Sequence, residues 1–166
     1  MSAPVTRHVL FLCTANSARS ILAEGLMNAL GGARGFRAWS AGSFPRGEVN
    51  PLALRTLAEQ GIPVDGFRSK SWEEFAGPRA PVMDFVFTVC DQAAGELCPV
   101  WPGQPVTAHW GVPDPAAVEG VDAVRMKAFL EAFLTLRRRI EIMLSLPIPS
   151  LDRMLLQQRV REIGGQ

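Results

Sequence analysis

Cys13-Thr14-Ala15-Asn16-Ser17-Ala18-Arg19-Ser20 places a thiol, five intervening residues and a guanidinium between the apolar run His8 to Leu12 and the helix-forming run Ile21 to Leu30. A loop at a strand-to-helix junction delivers its residues to a helix N-terminus, where unpaired amides and the positive end of the dipole favour a bound oxyanion. The same field favours the thiolate, the nucleophilic form of cysteine, and such a setting can bring its pKa below neutrality. Arg19 can hold two oxyanion oxygens in a fork. Cys-x5-Arg by itself recurs by chance. The strand before it, the polar Thr14, Asn16, Ser17 and Ser20, and the helix after it give the pattern chemical meaning. The chain has no Gly-x4-Gly-Lys-Ser/Thr, so a nucleoside triphosphate loop is not indicated.

Two further clusters carry chemistry. Cys90-Asp-Gln-Ala-Ala-Gly-Glu-Leu-Cys98-Pro99 sets two thiols on a segment of small and polar residues. Structural zinc needs about four ligands, usually in Cys-x2-Cys units, and Cys13, Cys90, Cys98 with His8 or His109 do not supply that spacing. Thiol exchange, which needs access and a leaving thiolate, suits the pair better than metal binding. His109-Trp-Gly-Val-Pro-Asp114-Pro115 holds a carboxyl group between two prolines. Asp114 is a candidate general acid, because an oxygen leaving an oxyanion needs a proton. Considered alone, Asp-Pro is an ordinary turn, and His109 reads as a strand-end histidine before a catalyst.

The elements that must position these groups alternate. Strand candidates at His8 to Leu12, Phe36 to Ser40, Phe85 to Val89 and Val106 to Trp110 are separated by helical segments, which predicts an α/β three-layer sandwich with a central four-stranded parallel sheet in a flavodoxin-like winding. Asn50-Pro51 caps and starts a helix that ends at Gly61. A long helix runs from Val121 to Leu146 and is closed by Pro147 and Pro149. Asp152 to Ile163 is a last weakly amphipathic helix that packs back on the domain or meets a partner, packing being the favoured reading. Residues 1–166 are expected to form a single domain, with 147–166 as a C-terminal helical extension. Active sites of open parallel sheets lie at the carboxyl ends of the strands, so the loops after the first, third and fourth strands should converge.

Composition narrows the partners. The chain has 166 residues, 48% hydrophobic and 20% charged, with a net charge of +1. That balance supports a soluble core and gives no support for nucleic-acid or polybasic membrane binding, so attraction for anions must be local. No signal sequence or membrane span is read, and a cytoplasmic location is expected. Three cysteines cannot all pair within one chain, which suits thiols or transient redox partners in a reducing compartment.

With these clusters in view, the chain from Val9 to Leu146 resembles the arsenate reductases built on the low-molecular-weight protein tyrosine phosphatase fold, the thioredoxin-coupled type above all. The motifs that carry the resemblance are Val9 to Ser20, Ala23-Glu-Gly25, Ser40-Ala-Gly42, Val49-Asn-Pro51, Thr88-Val-Cys90-Asp91, Cys98-Pro99 and His109 to Pro115. The resemblance implies that Cys13 attacks arsenate held by the loop amides and Arg19, with Ser20 stabilising the thiolate and Asn16 bracing the loop. It implies that Asp114 protonates the departing oxygen, that Cys90 then attacks Cys13, and that Cys98 passes the oxidation on as a Cys90 to Cys98 disulfide. Phosphate and sulfate would bind as arsenate analogues, the electron donor would be thioredoxin or glutaredoxin with glutathione, and no cofactor would be needed. The activity implied is arsenic detoxification.

Three positions depart from the pattern. Ala15 stands where family loops commonly carry glycine, which would strain the backbone by roughly 1 kcal/mol if φ is positive there. Ala18 replaces a second loop cysteine. Some relatives bind potassium through groups matching Asn16, Glu24 and Ser40 plus an aspartate, and here Ser71 stands at that last position. Two other functions use the same residues. A phosphotyrosine phosphatase would share the loop and Asp114, but Ala116-Ala117 follow the Asp-Pro pair where an aromatic would grip the substrate ring, and the chain has no Tyr. A non-catalytic oxyanion or arsenite-binding module would use the three thiols and leave Arg19 and Asp114 idle.

Overall fold

The computed structural model describes residues 5–90 and 101–166. Four parallel strands form one sheet in the order β2-β1-β3-β4, with β1 at Arg7–Leu12, β2 at Phe36–Ala41, β3 at Phe85–Thr88 and β4 at Val106–His109. In β1, Val9, Leu10, Phe11 and Leu12 are all fully buried, because a central parallel strand is covered on both faces. Val9 pairs with Ala38 on one side and Phe85 on the other. The winding reverses at β1, where open parallel sheets place their sites at the carboxyl end of the strand, and Cys13 follows β1 at that end.

The helices are α1 at Arg19–Gly31, α2 at Pro51–Glu59, α3 at Asp122–Leu144 and α4 at Arg153–Ile163. One face of the sheet presents Val9, Phe11, Phe85 and Phe87 to Ile21, Leu22 and Met27 of α1, Leu57 of α2, and Phe129, Phe133, Leu136 and Ile140 of α3. The opposite face presents Leu10, Leu12 and Val86 to Trp72, Phe75, Met83 and Trp101. Among the described residues this second layer includes the 3-10 turn Trp72–Phe75 and loop aromatics.

The expected helix starts are present. Asn50 Oδ1 accepts the Leu52 amide at 2.8 Å with Pro51 at the first helical position, a cap contributing about 1 kcal/mol. Asp152 Oδ1 accepts the Leu155 amide at 2.8 Å and starts α4. Helix α1 begins at Arg19, two residues before the apolar stripe, so Arg19 and Ser20 belong to its first turn. Helix α4 packs back on β4 as expected, and its Gln157 side chain exchanges hydrogen bonds with the amide and carbonyl of Thr107 on the edge of the sheet. Such pairing covers an open strand edge. No helix among the described residues is long and apolar enough to cross a membrane.

Candidate active site

The loop from Cys13 to Ala18 is shaped by what its carbonyls do. Thr14 O accepts the Phe44 amide, Ala15 O accepts the Arg46 amide and the Ser69 hydroxyl, and Ser17 O accepts the Asn50 amide, all at 2.9 to 3.1 Å. A peptide plane points its C=O and the following N–H in opposite directions. Carbonyls turned outward therefore turn the amides of Ala15, Asn16 and Ala18 toward the inside of the loop, a concavity suited to an anion. Gly42 makes this packing possible: a Cβ there would overlap Thr14 O and lie 2.8 Å from Cys13 O.

The left-handed residue of the loop is Asn16, at φ 46°. Ala15 is not among the positive-φ residues, so the strain that its departure from glycine would bring does not arise. Asparagine tolerates the left-handed region when its side chain is locally bonded. Asn16 is fully buried; its Nδ2 donates to Ser20 Oγ and Ser40 Oγ at 2.9 Å, and its Oδ1 accepts the Lys70 amide at 2.9 Å. These bonds tie the loop to α1, to β2 and to the Lys70 backbone.

Asn16, Ser40 and Glu24 come together, with Ser40 Oγ donating to Glu24 Oε1 at 2.6 Å. The positive charge beside them is a residue that the sequence did not flag. Lys70 Nζ lies 3.8 Å from Glu24 Oε1 and donates to Arg68 O at 3.0 Å. Burial pushes the Glu24 carboxyl up and the Lys70 ammonium down, and their mutual attraction opposes both shifts. Removing one partner alone would strand a buried charge. Among the described residues, no cluster of three His, Cys, Asp or Glu side chains could hold a metal ion. A cavity of about 980 Å³ opens beside this pair, lined by Glu24, Arg37, Trp39, Phe67 and Lys70, and does not include Cys13.

The sheet brings three of the predicted side chains together with a second thiol. Arg19 Nη2 lies 3.7 Å from Asp114 Oδ2, and its Nη1 donates to Val112 O at 3.1 Å. Asp114 Oδ1 accepts the Ala116 amide at 3.0 Å, which aims its other oxygen at Arg19. Cys90, 2% exposed, sits at the end of β3 with its Sγ 3.4 Å from the Thr14 amide. Cys13 and Cys90 are both thiols, not a disulfide. Cys98 lies outside the described residues. His109 Nδ1 is 2.7 Å from Thr88 Oγ1, a link between two strand ends.

The Cys13 thiol differs from the expectation of a depressed pKa. Its hydrogen bond with Cys90 and its burial push it up, against the downward pull of Arg19 and the Thr14 amide. A thiol beside a thiol resists ionisation, because a second charge would share one buried space. In this reduced arrangement the Cys90 neighbour is the first cause of the raised Cys13 thiol. Phe44 is another residue not singled out from sequence. It is 74% exposed, and its amide donates to Thr14 O, so its backbone adjoins the loop, whereas no aromatic directly follows Asp114.

A family model described as low molecular weight phosphotyrosine protein phosphatase matches residues 8–145. An arsenate reductase of Halalkalibacterium halodurans is 35% identical over 133 residues, covering 80% of this chain and 91% of that one. Among solved structures, an arsenate reductase in the phosphate binding state superposes with a TM-score of 0.63 at 27% identity, over 82% of this chain and 95% of the other. A thioredoxin-dependent arsenate reductase of Corynebacterium glutamicum gives a TM-score of 0.57 at 26% identity, over 84% of this chain and 64% of that one.

Proposed function

The chain belongs to the low molecular weight phosphotyrosine protein phosphatase family, and from that premise we propose that it reduces arsenate to arsenite. The observation that carries the reading is the second buried thiol: Cys90 Sγ shares the Thr14 amide at the edge of the loop that holds Cys13. Hydrolysis has no use for it. A two-electron reduction needs a second sulfur, because one thiol can only displace oxygen from arsenic.

The steps balance as follows. Arsenate binds in the loop amides and against Arg19. The Cys13 sulfur attacks arsenic, an As–O bond breaks, and Asp114 supplies the proton with which the oxygen leaves as water. Cys90, as thiolate, attacks the Cys13 sulfur; the S–As bond breaks and its electron pair stays on arsenic, which departs as arsenite. The Cys13 to Cys90 disulfide holds the oxidising equivalents. Cys98 then attacks Cys90, Cys13 leaves as thiolate, and a Cys90 to Cys98 disulfide is presented to a dithiol donor of the thioredoxin class. A relay ending in such a disulfide suits the cytoplasm, where donors of that kind keep thiols reduced. Movement of Cys90 away from Cys13 would remove the first cause of the raised thiol and release the nucleophile.

The same loop and proton donor would hydrolyse aryl phosphates, and Phe44 beside the loop favours that as a side activity. Arsenate-dependent NADPH oxidation, coupled through thioredoxin and thioredoxin reductase or through glutathione and glutaredoxin, tests the main reading and identifies the donor. Turnover with the thioredoxin couple is expected. Absence of arsenate-dependent oxidation with both couples, in a protein that hydrolyses p-nitrophenyl phosphate, would assign the chain to hydrolysis.

A further inference from the structure

The family match ends at residue 145, yet the residues beyond it reach the segment that carries Asp114. Trp110 is fully buried, stacked on Phe87 with ring centroids 4.1 Å apart, and its Nε1 donates to Val160 O of α4 at 2.8 Å. Gly164 lies against the His109 carbonyl so closely that a Cβ there would collide with it. Arg139 of α3 donates through Nη1 to Trp110 O at 2.8 Å and Gly111 O at 3.0 Å, and through Nη2 to Gln166 O at 3.3 Å. One buried guanidinium thus ties the strand end and the chain's last residues together. Val112 follows directly, with its amide on Val89 O and its carbonyl on Arg19. Pro113 and Asp114 come next. Each backbone position from His109 to Val112 is fixed by a contact, and those at 109, 110 and 111 involve or adjoin residues 160–166.

We propose that residues 147–166 brace the proton donor: α4 and its C-terminal end set where Asp114 stands over Arg19, acting through the positioning residues Trp110 and Arg139. The proposal rests on the reading of Asp114 as the general acid. Proton transfer requires hydrogen-bond reach, and a displacement of about 1 Å can cost about 100-fold in rate. The buried arginine fits this role, since its donors go to carbonyls that define a backbone path.

The test is a double-mutant cycle on single-turnover arsenite formation by the reduced full-length protein. Gly164→Ala presses a methyl group on the His109 carbonyl, and Arg139→Lys keeps the charge but not the fork that spans two carbonyls. Each is expected to slow single turnover by about 10 to 100-fold with arsenate affinity unchanged, and by less than about 2-fold when Asp114→Asn is already present. A purely structural lesion would act equally on both backgrounds. Equal losses on both, or no loss from either variant that melts cooperatively, would overturn the brace. If Asp114→Asn alone leaves the rate unchanged, the general-acid reading fails and the brace with it. Should Gly164→Ala not fold, Arg139→Lys carries the same comparison.

Discussion

Cys90→Ala is expected to lose thioredoxin-coupled arsenate reduction by at least about 10³-fold in the absence of monothiols, while p-nitrophenyl phosphate hydrolysis survives. The sulfur that would take arsenic's place on Cys13 is gone, but the loop, Arg19 and Asp114 remain. The same substitution should make Cys13 more acidic. Its hydrogen bond with Cys90 is the first cause of the raised thiol, and removing it leaves burial opposed by Arg19 and the Thr14 amide. Iodoacetamide alkylation of Cys13 followed against pH should therefore show a midpoint at lower pH in Cys90→Ala than in the parent protein. An unchanged midpoint would remove Cys90 as the group that controls the nucleophile. Arsenate reduction at the parent rate would remove it from the relay.

Asp114→Asn should slow formation of the Cys13–arsenic bond by about 10² to 10⁴-fold, because an amide cannot give the leaving oxygen a proton. Arsenate affinity should hold or tighten, since the carboxylate 3.7 Å from Arg19 competes with an anion for the guanidinium. The two quantities separate in rapid-quench measurement of arsenite against arsenate concentration. A weaker affinity with an unchanged limiting rate would make Asp114 a binding residue in place of a proton donor.

The site was legible in the sequence wherever chemistry is local. Cys13, Arg19 and the strand and helix around them form one contiguous segment, and Asn50-Pro51 announces its own cap. Asp114 and Cys90 could be placed because parallel strands end on the same side, a rule of topology needing no coordinates. What escaped was long-range. Lys70 reaches Glu24 across the fold, and nothing in Arg68-Ser-Lys70-Ser states that its ammonium will be buried. The left-handed backbone of the loop falls at Asn16 and not at Ala15, and three hydrogen bonds hold it there. The helix after Cys13 favours its thiolate, but the first cause acting on that thiol is Cys90, 77 positions along the chain. Arg139 stands in the run Arg137-Arg138-Arg139, yet it is 6% exposed with its guanidinium on the Trp110 and Gly111 carbonyls. Burial of a charge depends on partners that only the folded chain supplies.

Arsenate added to the fully reduced protein with no donor present tests the central claim most directly, with arsenite yield, thiol count and the disulfide partners all read by mass spectrometry. The relay predicts about one arsenite per chain, loss of two thiols from the three in the sequence, and a Cys90 to Cys98 bond with Cys13 again reduced. In Cys98→Ser the bond should stop at Cys13 to Cys90. Full retention of the thiols with no arsenite formed, under conditions where p-nitrophenyl phosphate is hydrolysed, would contradict the account.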